Sequence, residues 1–365
     1  MTKTIVKAPF RADQVGSLLR SETIKIARNE LKEGKISQEQ FREIEVQEIK
    51  RIVDKQIEVG LQAVTEGEFG RDWWHSTFME HLLGAEGYIP EHGYGFKNQE
   101  TDPYDVRLVG KVAYNPSHPF FQQAKDLLEI VEERAMVKFT IPSPNQFFHP
   151  AIINGQYESF DDFAPDIIEA YRETIKEFYR IGIRYIQLDD VYLAVIATSD
   201  FTPEEKKYRA ELAVSVVNSI LQDKPEDLTV TTHVCRGNYR SDYHFAGGYD
   251  DIAPIIFANE KVDGFFLEYD TERAGSFEPL KHIPKGGPKV VLGLVTSKFG
   301  QLEDKETIKA RIREASQYVP LEQLCISPQC GFASTHHGNK LTEEEQWQKL
   351  KFVVDVAKEV WDDFN

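Results

Sequence analysis

Three cysteines in 365 residues cannot form a disulfide framework, which excludes the small secreted scaffolds that rely on one. Long apolar runs are missing too. No window comes near the roughly 18 uninterrupted apolar residues of a membrane-spanning helix. The opening stretch MTKTIVKAPFRADQVG lacks the apolar core and cleavage pattern of a secretory leader. Basic residues are in deficit, with 43 Lys and Arg against 60 Asp and Glu and a formal charge of −17. A chain of that sign repels both nucleic acid and anionic membrane surfaces. Together these absences point to a reducing cytoplasm, in which cysteines persist as thiols or metal ligands. No low-complexity linker divides the chain, so residues 1–365 are read as a single large α/β unit.

What is present is a recurring unit: an amphipathic helix with clear caps, a glycine, a short β-rich run, then polar residues. Ser37 opens one helix with Gln40 in capping-box position, and Phe41, Ile44, Ile49, Ile52, Val53 and Ile57 form its apolar stripe. Gly60 ends it, and LQAVTEGEFG follows. Further on, a helix over 161–181 leads to IRYIQLDD, and a helix capped by Thr202 and Glu205 leads to LTVTTHVC. A helix over 252–259 leads to DGFFLEYD and then KVVLGLVTS, and a helix over 306–318 leads to LCISPQCGF. Thr342 with Glu345 caps the last helix. Adding ADQVGSLL and MVKFTIPSP gives eight strands in helix–strand alternation, which predicts a parallel sheet closed as a (β/α)8 TIM barrel. Residues 72–133 are too long for a barrel loop; they are expected to be an insertion after the second strand, with a hairpin at VRLVGKVAYN.

Barrel sites collect at the C-terminal ends of the strands. Those ends carry Gly16-Ser17, Glu66-Gly67-Glu68, Ser143, Asp189-Asp190, His233 with Cys235, Glu268 and Cys330, a polar set capping apolar interiors. His233 and Cys235 stand two apart at the end of a β-run, so they face the same way. Alone, an H-x-C pair is a weak signal, a strand-end glutamate is commonly a helix cap, and a cysteine such as Cys330 or Cys325 is commonly a small buried apolar residue. Taken jointly, His233, Cys235, Glu268 and Cys330 make a nitrogen, oxygen and sulfur set that suits Zn²⁺, drawn from three strand ends rather than from one local finger. Glu68 and Asp189 suit an ammonium group, and the Gly16-Ser17 backbone with the Ser17 hydroxyl suits a carboxylate. One carboxylate of the Asp189-Asp190 pair is expected to cap the following helix instead.

At these residues the chain resembles the catalytic half of cobalamin-independent methionine synthase, from VGS near the start to ISPQCGFAS near the end. The family's zinc pattern matches His233, Cys235, Glu268 and Cys330. Its homocysteine contacts match Gly16, Ser17, Glu68 in EGEFGR and Asp189 in IQLDD. The resemblance implies zinc-dependent transfer of a methyl group to the thiol of homocysteine, with methyltetrahydrofolate or a corrinoid as donor. It covers only the family's catalytic barrel, not the second barrel that helps hold the folate tail. Where the family has a proton-donating histidine after the seventh strand, this chain reads GLVTSKFG. With a folate donor, Lys298 or His337 is then the expected proton source, and Phe148 lies near the position of the folate-stacking tryptophan. Two rivals stand beside this reading. A zinc hydrolase would use the same barrel face, but a pair of thiolates favours binding another sulfur over activating water. A non-catalytic protein that binds zinc and an amino acid is the other.

Overall fold

The computed structural model of the protein describes residues 7–364. The chain begins with α1 (Glu22–Lys32), α2 (Gln38–Glu58) and β1 (Ala63–Val64), followed by α3 (Ser76–Met79), β2 (Leu83–Tyr88), β3 (Asp105–Ala113) and α4 (Pro119–Val131). It continues with β4 (Met136–Pro142), α5 (Pro150–Ile153), α6 (Phe160–Ile181), β5 (Tyr185–Asp190), α7 (Tyr192–Thr198), α8 (Pro203–Ile220) and β6 (Thr229–Val234). Last come α9 (Ala253–Asn259), β7 (Gly264–Glu268), β8 (Lys289–Val295), α10 (Lys305–Ala315), β9 (Leu324–Pro328) and α11 (Glu343–Val360). The caps read from sequence set three of these starts. Ser37 and Thr342 each form a full capping box, and the Thr202 hydroxyl accepts from the Glu205 N–H. Among the described residues no helix is long and apolar enough to cross a membrane.

Seven strands form a parallel sheet in the order β1-β4-β5-β6-β7-β8-β9. The expected first strand, ADQVGSLL, makes a single parallel bridge from Ala12 to Ile326 of β9 instead of a ladder. The same segment also reaches the opposite edge, where the Thr65 hydroxyl, just past β1, donates to the Gly16 carbonyl at 2.6 Å. One segment therefore touches both edge strands, and the sheet is curled. Its eighth position is not a regular strand because a side chain has taken the backbone groups. The Thr65 N–H donates to Gln56 Oε1 at 2.9 Å, the Gln56 amide donates to the Thr65 carbonyl at 2.8 Å, and the Gln14 side chain bonds the same amide.

Period-two alternation sorts the strand residues. Ile186, Leu188, Val230, Val234, Phe265 and Leu267 face outward into the main apolar core under the helices. Tyr185, Phe266, Val291 and Cys325 face inward, in a separate small cluster with Ala8, Phe10 and Val15. Counting by twos from the inward residues reaches Gln187 and Asp189 on β5 and Glu268 on β7. On β6 the residues between Val230, which faces outward, and Val234 carry the inward parity to His233. The inside of the curl thus holds an apolar cluster around a buried Lys138–Asp13 pair at the strand starts, and Asp189, His233 and Glu268 at the strand ends. Cys325 belongs to the apolar part, and burial raises its thiol pKa to about 11.

The stretch 72–133 divides in two. β2 and β3 pair antiparallel outside the main sheet, from Leu83 opposite Ala113 to Tyr88 opposite Asp105. VRLVGKVAYN is therefore one strand with a distant partner and not the expected hairpin. From Pro119 on, the chain is α4, which packs on α2, α6 and β4 with the other sheet-covering helices.

One buried carboxyl sits on the helix side of the sheet. Glu260, at the end of α9, accepts a hydrogen bond from the Thr232 hydroxyl, and its other oxygen has no partner. Burial, reinforced by the charge of Asp190, raises its pKa to about 8. Between pH 4.5 and 8 the folded chain holds a proton that the unfolded chain releases, so this group's contribution to stability falls as pH rises, by on the order of 1 kcal/mol per pH unit. Glu260→Gln is expected to leave the thermal midpoint at pH 5 nearly unchanged and to raise it at pH 8. Parallel melting curves for the two proteins across that range test this; an unchanged difference between them would refute it.

Candidate active site

The curl brings together four side chains of types that can ligate a metal. His233 ends the inward row of β6 and Cys235 follows two residues on; Glu268 ends the row of β7, and Cys330 lies in the loop after β9. One ligand atom from each lies within 4.8 Å of every other, and all four residues are buried. The two sulfur atoms are 3.6 Å apart. His233 turns Nδ1 toward the Phe266 carbonyl at 3.3 Å, while its buried Nε2 has no hydrogen-bond partner. Glu268 accepts the Arg236 backbone N–H at 2.7 Å on one oxygen and the Arg273 guanidinium at 3.2 Å on the other. An outer carbonyl fixing one imidazole nitrogen while the other points into a ligand set is the usual second layer of a metal site.

The charges of the cluster are coupled. The hydrogen bond from Cys235 holds Cys330 well below an ordinary thiol pKa, against the opposing effect of burial, and His233 and Lys298 add their attraction. The same hydrogen bond, together with burial, drives Cys235 well upward. Burial works against protonation of His233, yet Cys330, Asp189 and Glu268 outweigh it and raise its pKa. The thiol pair is thus asymmetric, with Cys330 the more acidic sulfur and Cys235 the less acidic one, beside an imidazole whose pKa is raised.

A polar corner adjoins it. Gly331 packs so closely that a β-carbon there would stand 1.9 Å from the Ser17 hydroxyl, which ties the Cys330 loop to the Gly16-Ser17 turn. The Gly331 carbonyl is held from the other side by the Asn238 amide at 2.7 Å and the Ser297 hydroxyl at 2.8 Å. Glu68 has φ of +60°, a left-handed conformation that costs a non-glycine residue energy and that clusters at functional sites. Its Oε1 accepts from the Thr140 hydroxyl at 3.2 Å, and its buried Oε2 has no partner. Burial raises its pKa against the pull of Arg71 and Arg20. Asp189 accepts from the Gln187 amide at 2.7 Å, and burial raises its pKa to about 7. Asp190 instead faces the helix side, where it accepts from the Leu193 N–H at 3.0 Å and the Asn145 amide at 2.8 Å.

These groups form the floor of a cavity of about 630 Å³, whose lining includes Ser17, Glu68, Asp189, His233, Cys235 and Cys330. Its walls are aromatic. Trp73, Trp74, His75, Tyr94 and Phe96 come from the segment between β1 and β3, and Phe148, Tyr192 and Phe201 close the far side. Sequence reading missed most of these wall residues, because they lie on connections without a repeating pattern; the aromatic pair in DWWH was the available signal. Lys298 and His337 do not line the cavity. The Lys298 ammonium is buried without a hydrogen-bond partner, and His337 turns Nε2 toward Asp102, 3.4 Å away. His75 does line it, and burial lowers its pKa to about 4.

Residues 10–359 match the family model described as cobalamin-independent synthase, catalytic domain. The chain is 48% identical over 366 residues to the uncharacterized protein YxjG of Bacillus subtilis, covering 97% of this chain and 96% of that one. It is 24% identical to the methionine synthase of Sulfolobus acidocaldarius, covering 85% and 80%. A solved structure from Listeria monocytogenes, described as a candidate vitamin-B12-independent methionine synthase, matches at 40% identity and a TM-score of 0.79, covering 98% of this chain and 99% of that one. A B12-independent methionine synthase from Shewanella, solved with selenomethionine, shares the fold at 19% identity and a TM-score of 0.70, covering 97% and 98%.

Thiolate character decides alkylation, since the thiolate is the nucleophile. With metal removed, iodoacetamide at pH 7 is expected to modify Cys330 first, Cys235 more slowly, and Cys325 only on unfolding. A divalent metal should protect Cys330 and Cys235 together. Peptide mapping by mass spectrometry reads the order, and preferential modification of Cys325 would contradict it.

Proposed function

The chain belongs to the cobalamin-independent synthase catalytic-domain family, and on that premise we propose that it is a zinc-dependent homocysteine S-methyltransferase that makes methionine. The observation that carries this reading is the placement of a two-sulfur ligand cluster beside a carboxylate-lined corner at the floor of one cavity. Two sulfurs on a tetrahedral zinc ion, with bonds of about 2.3 Å, stand about 3.8 Å apart, close to the 3.6 Å between Cys235 and Cys330. The unpartnered His233 Nε2 and the Glu268 carboxylate complete a fitting donor set. Zinc held there by His233, Cys235, Glu268 and Cys330 would supply charge that lowers the pKa of the substrate thiol and so present it as a thiolate.

The chain's own residues then do the positioning. Glu68 and Asp189 receive the ammonium of homocysteine; both carboxyls are raised in pKa by burial, and an incoming cation favours their charged forms. The Gly16-Ser17 turn takes the carboxylate. Glu268 would be the ligand least dependent on the metal, because Arg273 and the Arg236 N–H already satisfy its charge. The aromatic walls, Trp73, Trp74 and Phe148 among them, hold a flat methyl donor by stacking and keep water from the thiolate. Methyltetrahydrofolate is the donor proposed first. A corrinoid is a second reading, favoured by one observation: Lys298 and His337, the groups expected to give a proton to a departing nitrogen, are not on the cavity wall, and a corrinoid needs no such proton.

Methyl transfer to homocysteine by zinc-loaded protein, with methyltetrahydrofolate as mono- and triglutamate and with methylcobalamin in parallel, tests the reading. Methionine from any donor supports it, and the donor that works decides between the two readings; none from all three, with zinc bound, would overturn it. Cys330→Ala is expected to lose both zinc and turnover. Asp189→Asn and Glu68→Gln should raise KM for homocysteine by about thirtyfold, the equivalent of about 2 kcal/mol for a charged hydrogen bond, with zinc content unchanged. A normal KM in both would remove them from the substrate site.

A further inference from the structure

A second group of metal-binding side chains stands at the cavity's rim, apart from the four-residue cluster. One ligand atom each from Asp102, His336 and His337 lies within 4.8 Å of the other two. Asp102 follows Thr101, and the two histidines follow Thr335; both threonines line the cavity, as does Tyr239, whose ring meets His337 edge-on at 5.6 Å.

Three features distinguish the group from an ordinary surface cluster. The imidazoles of His336 and His337 lie against each other, with centroids 4.0 Å apart and planes tilted by 34°. His336 Nδ1 is buried and has no hydrogen-bond partner. His337 Nε2 lies 3.4 Å from Asp102 Oδ2, longer than a good N–H···O bond and equal to the spacing of about 3.4 Å between ligands that share a tetrahedral ion at about 2.0–2.1 Å. The charged groups facing the two rings are Asp72 and Asp102 on one side and Lys32, Arg20 and Arg240 on the other, with Asp72 also paired to Arg28. Asp102 is exposed, at 64% of its side chain, and can rotate to tighten the set.

We propose that Asp102, His336 and His337 form a second divalent-metal site, of two-nitrogen, one-oxygen type, that fastens the β2–β3 connection to the loop after β9 at the rim of the cavity. The donor set suits zinc, cobalt or nickel and disfavours magnesium and calcium, which prefer oxygen alone. Solvent fills the remaining positions on the Asp102 side. The loop after β9 is itself held in place from the stretch before α3: Trp73 and Thr335 form an antiparallel bridge, and the His336 N–H donates to the Asp72 carbonyl at 2.9 Å. The bound ion would add a cross-link where the wall that carries Tyr94 and Phe96 meets the wall that carries Ser334 and Thr335. This inference stands independently of the methyl-transfer reading.

Titration of the metal-free full chain with Co²⁺, followed by absorption, separates the two sites, since only the Cys235/Cys330 cluster can give a sulfur-to-cobalt charge-transfer band. A binding class without that band is expected, weakened by about tenfold or more in His336→Ala/His337→Ala and also in Asp102→Asn, and retained in Cys235→Ser/Cys330→Ser. Asp102→Asn changes an exposed side chain and so reports on ligation even where the double histidine variant folds poorly. Absence of a thiolate-free class in the wild type, or its persistence at full affinity in Asp102→Asn, would overturn the proposal. A missing charge-transfer band would count against the zinc–thiolate reading alone.

Discussion

Two sulfur atoms 3.6 Å apart, one from the end of β6 and one from the loop after β9, are the contact on which the site depends. Neither residue is near the other in sequence; only the curl of the sheet joins them. Once joined, they cannot both be charged in a dry interior, and the surroundings decide which is. The hydrogen bond the two share lowers the pKa of Cys330 and raises that of Cys235. The His233 imidazole and the Lys298 ammonium then supply opposite charge from two sides, while Arg273 does the same for Glu268. Opposite charges close at hand reduce the cost of burying such a set. The tight seat of Gly331 on Ser17 and the Asn238 and Ser297 hydrogen bonds to its carbonyl are what hold Cys330 in that geometry.

Much of this was legible in local sequence because local sequence governs it. Capping residues start helices through hydrogen bonds that span three positions, so Ser37, Thr202 and Thr342 could be read directly. Strand parity is equally local, and it is why His233 and Cys235 share a direction. What could not be read depends on distant pairing. Val106 to Asn115 looks like a hairpin because Gly110 interrupts two β-rich runs, yet it runs on as one strand, with a register shift opposite Gly84, and pairs with Leu83–Tyr88. The eighth strand failed for a similar reason: nothing in ADQVGSLL announces that Gln56, on a helix, will occupy the backbone of Thr65. The helix α4 was absorbed into the expected insertion, although Pro119 stands at its first turn with the His118 side chain as cap.

The cavity walls were the least legible part, and they are what any methyl donor would meet. Trp73, Trp74, Tyr94 and Phe96 lie on connections, where neither helical nor strand periodicity applies. Hydrogen bonds place these connections: Asn98 N–H donates to Asp242 at 2.8 Å, and Trp74 N–H donates to the Ser334 carbonyl at 3.0 Å. The segment between β1 and β4 thereby serves two roles at once. Its end supplies α4 to the helix layer, and its middle reaches over the strand ends to wall the cavity. The apolar walls and polar floor divide the cavity into a region suited to a flat, weakly charged group and one suited to a zwitterion.

The two ends of the curled sheet show how a buried polar group that serves structure differs from one poised for a ligand. At the strand starts, Lys138 is fully buried, yet its ammonium meets Asp13 at 3.2 Å, bonds the Gln14 carbonyl and sits 3.8 Å from the centre of the Phe266 ring. Asp13 in turn accepts from the Tyr185 hydroxyl at 3.0 Å and from the Phe10 and Gln14 N–H groups. No oxygen of Asp13 is left without a partner, so that cluster needs nothing further and works as a plug. At the strand ends the burial is as deep, but Glu68 Oε2 and His233 Nε2 lack partners and face the same cavity floor. An unsatisfied buried polar atom costs on the order of 1–3 kcal/mol. At these two atoms the floor holds bonding capacity that a ligand can take up, where the lysine–aspartate pair at the other end has none to spare.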